Sequence, residues 1–421
     1  MIARRLIYEA LWSIVYFLKY PAYFSWIVYG SLLMISFLGF LWRPHRADFA
    51  ANNVEFVVVS IASRSVRASL FETINHTTAN FPHIPLHILI DQRSELLNEL
   101  EVLVASHNQT LVRDAQTTDR VMSKSSSDPK LELVIVPKEY RTDLLGKGRA
   151  MNFFIENYVQ GNKWYCFIDD DNLILDDAFL YEIPYYEPKG YAICNLSIIT
   201  RRGKSRFTYV MDNMRLFDDI TISRLFTGML HIPLIGLHGE GLTVKGNVLK
   251  EIGYGKRTIT EDFVFGNGIV RRRRKNENLK TWVSEAKISI KSAYTLHDLL
   301  RQRARWFKGV AIDLKDTEPV VKIVVGIKMA LWTVNLFGSW AFSPLWIFWL
   351  HESPLWFYLF FLGGVTPWVV FILYIWKFRE FQPWYFSFFV PVYGILESLI
   401  AWYVLFQQRK SSSSFVVIDK S

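Results

Sequence analysis

The chain has 421 residues, a formal net charge of +9, 51% hydrophobic and 16% aromatic residues, and only two cysteines. Two cysteines, Cys166 and Cys194, exclude a disulfide framework, and the length admits one large domain or two ordinary ones. Residues 6–42 and 321–406 are nearly free of charge and dense in Phe, Trp, Tyr, Leu and Ile, whereas 50–310 has ordinary soluble composition, a pattern that predicts a soluble domain held between membrane anchors.

Arg4 and Arg5 precede the apolar run 6–18, and KYPAYFSW follows it instead of a small-residue cleavage site, so this segment is expected to remain uncleaved. Beyond Pro21, residues 23–42 are long enough to span a bilayer. Arg43, His45 and Arg46 then place this end in the cytosol by the positive-inside rule. Residues 1–46 therefore form an N-terminal membrane region.

The pattern changes at 54. EFVVVSIA (55–62), PLHILID (85–91), LELVIV (131–136) and KWYCFID (163–169) are short runs rich in β-branched residues, with helical patterns at 65–80, 94–107 and 147–160 between them. Strands alternating with helices predict a Rossmann-like α/β domain with a mostly parallel sheet covered on both faces. Ligands bind such sheets beyond the carboxyl ends of the strands, where Asp91 and Asp169–Asp171 both fall. The polar stretch 114–130 reads as a flexible loop. Sequons at Asn75, Asn108 and Asn195 lie in the same region and carry no weight if it is cytosolic.

Three apolar runs follow, 321–350, 355–376 and 384–406. His351–Pro354 carries no Lys or Arg and is expected to face away from the cytosol; Lys377–Glu380 is expected to face it. Pro391 and Glu397 make the last run a poor spanning helix, which leaves the number of crossings open. The expected division is thus 1–46, a catalytic domain over 47–310 that ends in an amphipathic interfacial helix, membrane helices over 311–410, and a tail over 411–421.

The chemistry starts at YCFIDDDN (165–172). An Asp-x-Asp after a buried strand suits a divalent cation shared with a diphosphate, because Mg2+ and Mn2+ prefer carboxylate and phosphate oxygens and take few ligands from the protein; a solvated turn is the bland alternative. Thr260-Glu261-Asp262 reads as an acidic helix start or as a catalytic carboxylate. Arg301–Trp306 (RQRARW) reads as an interfacial anchor, or as a guanidinium for phosphate oxygens beside an indole face for a sugar ring.

Asp-x-Asp, then Thr-Glu-Asp, then Gln-x-x-Arg-Trp, in that order before apolar helices, resembles the membrane-bound family 2 glycosyltransferases, the cellulose, chitin and hyaluronan synthases among them. Gly146–Asn152 (GKGRAMN) looks like that family's basic segment near the nucleotide. Asp218-Asp219, His231–Leu234 and His238-Gly239 look most like the egghead-type β-1,4-mannosyltransferases of animals. The resemblance implies a GT-A fold and an inverting hexosyltransferase that uses a nucleotide-sugar donor, with Mg2+ or Mn2+ held by Asp169 and Asp171. It implies donor contacts from Asp91, Lys147, Arg149, Asp170 and Arg305, and Asp262 as the base. Acceptor contacts would come from His238, Gly239, Glu261, Gln302, Arg303 and Trp306. The implied partners are a glycan or glycolipid acceptor and membrane lipid.

The basic run Arg271–Lys275 is expected to face solvent or anionic lipid, and nothing else points to nucleic acid. A transporter or channel with a nucleotide-sugar-sensing domain is the alternative; it would need intramembrane charge, for which Glu397 is the candidate.

Overall fold

The computed structural model of the chain describes residues 37–117, 131–213, 219–275, 278–338 and 390–407, with isolated positions within 9–35 and 354–369. Its centre is an eight-stranded sheet of order β3-β2-β1-β4-β7-β6-β8-β5. The strands are β1 (Val54–Val59), β2 (Leu86–Asp91), β3 (Leu131–Val136), β4 (Trp164–Asp169), β5 (Leu173–Ile174), β6 (Tyr191–Arg201), β7 (Leu242–Lys245) and β8 (Lys280–Lys291). The α-helices are α1 (Arg67–Asn80), α2 (Leu97–Thr117), α3 (Gly146–Asn157), α4 (Ala178–Tyr186), α5 (Arg206–Asn213), α6 (Gly246–Ile252), α7 (Glu261–Arg274), α8 (Leu296–Asp313), α9 (Pro319–Gly338) and α10 (Val390–Gln407), and a π-helix spans Asp219–Met229.

Strands β1 to β4 are the four apolar runs expected from the sequence, and they pair in parallel. The sheet is nevertheless mixed, because β7 runs antiparallel between β4 and β6, and β5 antiparallel to β8. Side chains alternate between two cores, as a pleated strand requires. Phe56, Val58, Cys166 and Ile168 pack with Leu70, Ile74, Phe179 and Ile183 on one face. Val57, Val59, Tyr165 and Phe167 pack with Phe154, Ile155, Leu249 and Phe265 on the other. Both faces are dry, so β1 is buried along its whole length and reads as a continuous apolar run.

The first part of the expected loop at 114–130 is helical, since α2 continues to Thr117; 118–130 lies outside the described residues. Pro391 lies within α10, and the residues of that run before Val390 lie outside the described ones. One apolar side of α8 is packed: Phe307 meets Ile400, Ala401 and Val404 of α10 and Trp332 of α9. Among the described residues no helix is long and apolar enough to cross a membrane. Most of 1–36, 339–389 and the tail, on which the membrane expectation rested, lies outside them.

Candidate active site

The strand registers set Ser60, Asp91 and Asp169 along one edge of the sheet, with Val59 opposite both Leu89 and Asp169. A cleft of about 760 Å³ opens there, and it is lined by Asp91, Lys147, Arg149, Asp169–Asp171, His238, Gly239, Glu261, Asp262, Gln302, Arg303, Arg305 and Trp306, whereas Asp219 and His231–Leu234 lie outside its lining. The wall facing the strand ends is made by the loop 235–240, the start of α7 and one side of α8, and the far end reaches Lys328, Trp332 and Glu397 of α9 and α10.

At one end Asp91 accepts hydrogen bonds from Arg93 Nε at 2.9 Å and from the buried Arg149. Arg93 first, then Arg149, hold its carboxyl down at about 2. Arg149 is largely committed, donating also to the carbonyls of Tyr140 and Pro137. It braces Asp91 more than it reaches into the cleft.

The acidic triplet divides its tasks. Asp169 Oδ1 sits 2.5 Å from Lys147 Nζ, Asp170 Oδ2 accepts from Ser60 Oγ at 2.7 Å, and Asp171 is 1% exposed. Burial pushes Lys147 down, but Asp169, Glu261 and Glu240 outweigh it and hold the ammonium protonated above the ordinary lysine range. Among the described residues no group of three or more His, Cys, Asp or Glu gathers to enclose a metal ion. Two carboxylates one residue apart at an open cleft still fit Mg2+ or Mn2+, which bind through one or two carboxylates and take water and phosphate oxygens for the rest.

Glu261 and Asp262 open α7. Asp262 Oδ1 accepts from its neighbour's amide, Phe263 N, at 2.8 Å, and Oδ2 from Gly239 N at 3.1 Å. Burial raises the pKa of both carboxyls. Repulsion adds to it, from Asp262 on Glu261 and from Glu240 on Asp262, while Lys147 draws both back. A Cβ at Gly239 would stand 3.3 Å from Lys147 Nζ and 3.6 Å from Asp262 Oδ2, so glycine keeps the space between those charges open. The arginines at the other end of α7 lie at the surface, with Arg271 and Arg274 exposed, but they are paired rather than a free cationic run. Arg271 and Arg274 pair with Glu318, Arg272 with Glu251, and Arg273 donates to the His231 carbonyl, at the helix end that favours cations.

Helix α8 starts at Thr295, whose Oγ1 accepts from Asp298 N at 3.1 Å. Its spacing of three and four residues turns Gln302, Arg305 and Trp306 to the cleft. Gln302 is 8% exposed and its Oε1 has no hydrogen-bond partner among the described residues. Arg303 also lines the cleft, with partners of its own. Its guanidinium lies 2.7 Å from Asp212 and 3.1 Å from Glu397 and stacks 4.5 Å over the Trp306 ring, so it fixes the helix and the indole.

Sequence reasoning passed over Glu240, Ser60 and Asn195. Glu240 directly follows His238-Gly239, and Ser60 ends an apolar strand; position next to a recognised motif was the available signal. Asn195 was disguised as a sequon, but it is 1% exposed and bonded through both amide atoms to the His238 main chain.

A nucleotide-binding type of sheet with an acidic cleft at its carboxyl edge defines a GT-A-like α/β architecture. The model of the family described as Glycosyl transferase family group 2 matches residues 164–390, and the chain belongs to that family. It is 25% identical over 228 residues to the beta-1,4-mannosyltransferase bre-3 of Caenorhabditis elegans, covering 52% of this chain and 48% of that protein. It is 24% identical over 229 residues to the beta-1,4-mannosyltransferase egh of Drosophila melanogaster, covering 51% and 48%. The chain therefore spans about half the length of the curated relatives it matches. In fold it is similar to the mannosyltransferase PcManGT of Pyrobaculum calidifontis, solved in complex with GDP-Man and Mn2+, at a TM-score of 0.50 and 12% identity over 93% of this chain and 98% of that one.

Proposed function

We propose that the chain is an inverting hexosyltransferase that moves a sugar from a nucleotide-sugar donor, a UDP-sugar or GDP-mannose, to a polysaccharide or lipid-linked glycan acceptor, forming a β-glycosidic bond at the cytosolic face of a membrane. The observation that carries this reading is the meeting of Asp169–Asp171, Asp262 and Arg305 in one cleft. The mannosyltransferase names of the relatives and the GDP-Man complex of the structural neighbour favour mannose as the sugar.

Asp169 and Asp171 would hold the cation, Mg2+ or Mn2+, whose charge offsets that of the donor diphosphate. Asp91, braced by Arg149, binds the nucleoside end, and Lys147 and Asp170 orient the acidic triplet. Arg305 stabilises the negative charge that gathers on the departing nucleoside diphosphate. Asp262 accepts the proton of the acceptor hydroxyl as that oxygen attacks the anomeric carbon, and its raised pKa makes it a better base than an exposed aspartate. Trp306 offers a flat face to the acceptor ring, and the unsatisfied Oε1 of Gln302 suits a sugar hydroxyl. His238, Gly239 and Glu261 complete the acceptor wall. The apolar surface of α9 and α10, with Ile323 63% and Phe406 75% exposed, supports a membrane setting together with the apolar runs at both ends of the sequence. Glu397 pairs with Arg303, which it shares with Asp212, so the charge on which the transporter reading relied helps hold α8 to α10.

Incubating the purified chain in detergent with Mn2+ and a panel of UDP- and GDP-sugars tests the reading. Release of nucleoside diphosphate is expected, with GDP-mannose preferred, and Asp262→Asn should abolish it while donor binding persists. Normal turnover by that variant would refute the base assignment.

A further inference from the structure

We propose that Asn195 and Asp219 are positioning residues that hold the loop 236–241 in register with the carboxylate of Asp262. The inference rests on the reading of Asp262 as the base. Asn195 lies on β6, and its side chain grips the main chain of His238 in both directions, Nδ2 donating to the carbonyl at 2.9 Å and Oδ1 accepting from the amide at 3.3 Å. Asp219 grips the His238 ring, its Oδ1 2.8 Å from Nε2, while its Oδ2 accepts from the Ile198 amide at 3.1 Å. Both residues are almost wholly buried, at 1% and 3% exposure.

The loop they grip has strained ends that favour glycine, Gly236 at φ 95° and Gly241 at φ 66°. Gly241 is stitched to the sheet, its amide donating to Phe167 O and its carbonyl accepting from Leu196 N. Between those anchors the amide of Gly239 donates to Asp262 Oδ2. The other oxygen of Asp262 is held by the adjacent Phe263 amide, which moves with α7. The bond from Gly239 is thus the one that ties the carboxylate to the sheet, and it is aimed by the two residues that fix His238. Neither Asn195 nor Asp219 lines the cleft, so neither is expected to touch substrate.

The test compares Asp219→Asn and Asn195→Ala with the full wild-type chain, using the donor that the wild type turns over. Asp219→Asn conserves volume and can still accept from Ile198, so it carries the test if Asn195→Ala does not fold. A misplacement of the base of about 1 Å is expected to lower kcat roughly 100-fold. The donor KM and calorimetric affinity for nucleoside diphosphate should change far less than kcat, because the loop meets the diphosphate end only through the long 3.4 Å bond from Lys147 Nζ to the Gly239 carbonyl. The double variant should lose little more than the worse single variant, since both act on one loop. Wild-type kcat in a folded Asp219→Asn protein overturns the proposal, and so does a loss of diphosphate affinity in step with kcat, which marks general distortion. A wild-type chain that consumes no donor would sink the functional reading itself, whereas a working wild type matched by Asp219→Asn sinks only the positioning role.

Discussion

Arg303 Nε lies 3.1 Å from Glu397 Oε1, with both side chains buried to within a few per cent. The contact joins the helix that carries Gln302, Arg305 and Trp306 to the last apolar helix. Asp212 takes a second face of the same guanidinium at 2.7 Å. A charge in a mostly apolar stretch is costly unless paired, and the partner here comes from about a hundred residues away in sequence.

Removing the cation should therefore hurt more than removing one of the anions. Arg303→Met leaves two buried carboxylates facing each other and should cost about 3–5 kcal/mol of stability. Glu397→Gln keeps Asp212 on the guanidinium and should cost only about 1–3 kcal/mol. Arg303→Lys should behave closer to Met than to Arg, because an ammonium cannot make the forked contact. Thermal melting in detergent checks the order, and a Glu397→Gln loss as large as that of Arg303→Met would contradict it.

Lys147 is enclosed by the carboxylates of Asp169, Glu261 and Glu240. In Lys147→Met those groups lose the ammonium that offsets their mutual repulsion. We expect donor affinity to fall about tenfold, equivalent to roughly 1.4 kcal/mol, with a smaller change in kcat. Chelation of divalent ions should stop nucleoside diphosphate release by the wild type, and added Mn2+ should restore it. Turnover that survives chelation would remove the metal role from Asp169 and Asp171.

The half of the sheet that builds the cleft was legible because β1, β2 and β4 are dry on both faces. VEFVVV and WYCFID have no alternation to misread, and LHILID and WYCFID end in the acidic residues Asp91 and Asp169. The antiparallel β7 was not legible. LTVK is four residues long and adds no periodicity, and its place between β4 and β6 depends on the strained glycine turn before it. Site residues inside compact motifs were legible for the same reason that motifs exist: close sequence spacing forces close spatial spacing. Asn195, Asp219 and Glu397 make their contacts with His238 and Arg303 across long separations, and nothing local in the sequence names those partners.

At the opposite end of the strands, His87 lies between Glu55 at 3.0 Å and Glu132 at 3.1 Å, and Lys163 also reaches Glu55. Burial works against the charged imidazole, but hydrogen bonds and attraction from Glu132 and Glu55 raise its pKa overall. Burial likewise opposes ionised Glu55, and His87 and Lys163 more than reverse it. A raised histidine stabilises the fold fully below its unfolded value of about 6.5 and loses that contribution as pH rises through the folded pKa. A depressed glutamate stabilises above its unfolded value of about 4.3 and loses that contribution as pH falls through the folded pKa. The cluster should thus contribute most between about pH 4.3 and 6.5. The melting-temperature difference between wild type and His87→Gln should be largest in that window and shrink toward alkaline pH. A difference that grows with pH would show the imidazole to be neutral in the fold.

Gly309 sits within α8, three residues beyond Trp306, and a Cβ there would stand 2.4 Å from Thr260 Cγ2 and 3.0 Å from Ile259 Cγ1. The absent side chain lets α8 approach the residue just before Glu261. That approach is locked by Asp313, whose carboxylate accepts from Thr260 Oγ1 at 2.7 Å and also from Thr258. Gly309→Ala gains about 1 kcal/mol of helix propensity and meets overpacking of about 1–3 kcal/mol, so net stability should change little. Relief of the clash must instead push α8 from the start of α7, carrying Arg305 and Trp306 away from Asp262. Turnover should fall at least tenfold in a protein that melts within a few degrees of wild type. Smaller residues in the facing wall, Thr260→Ser in particular, should return part of it by removing the methyl that a new Cβ would strike. A Gly309→Ala protein with wild-type turnover would mean that α8 can shift without disturbing the distance between the guanidinium and the base.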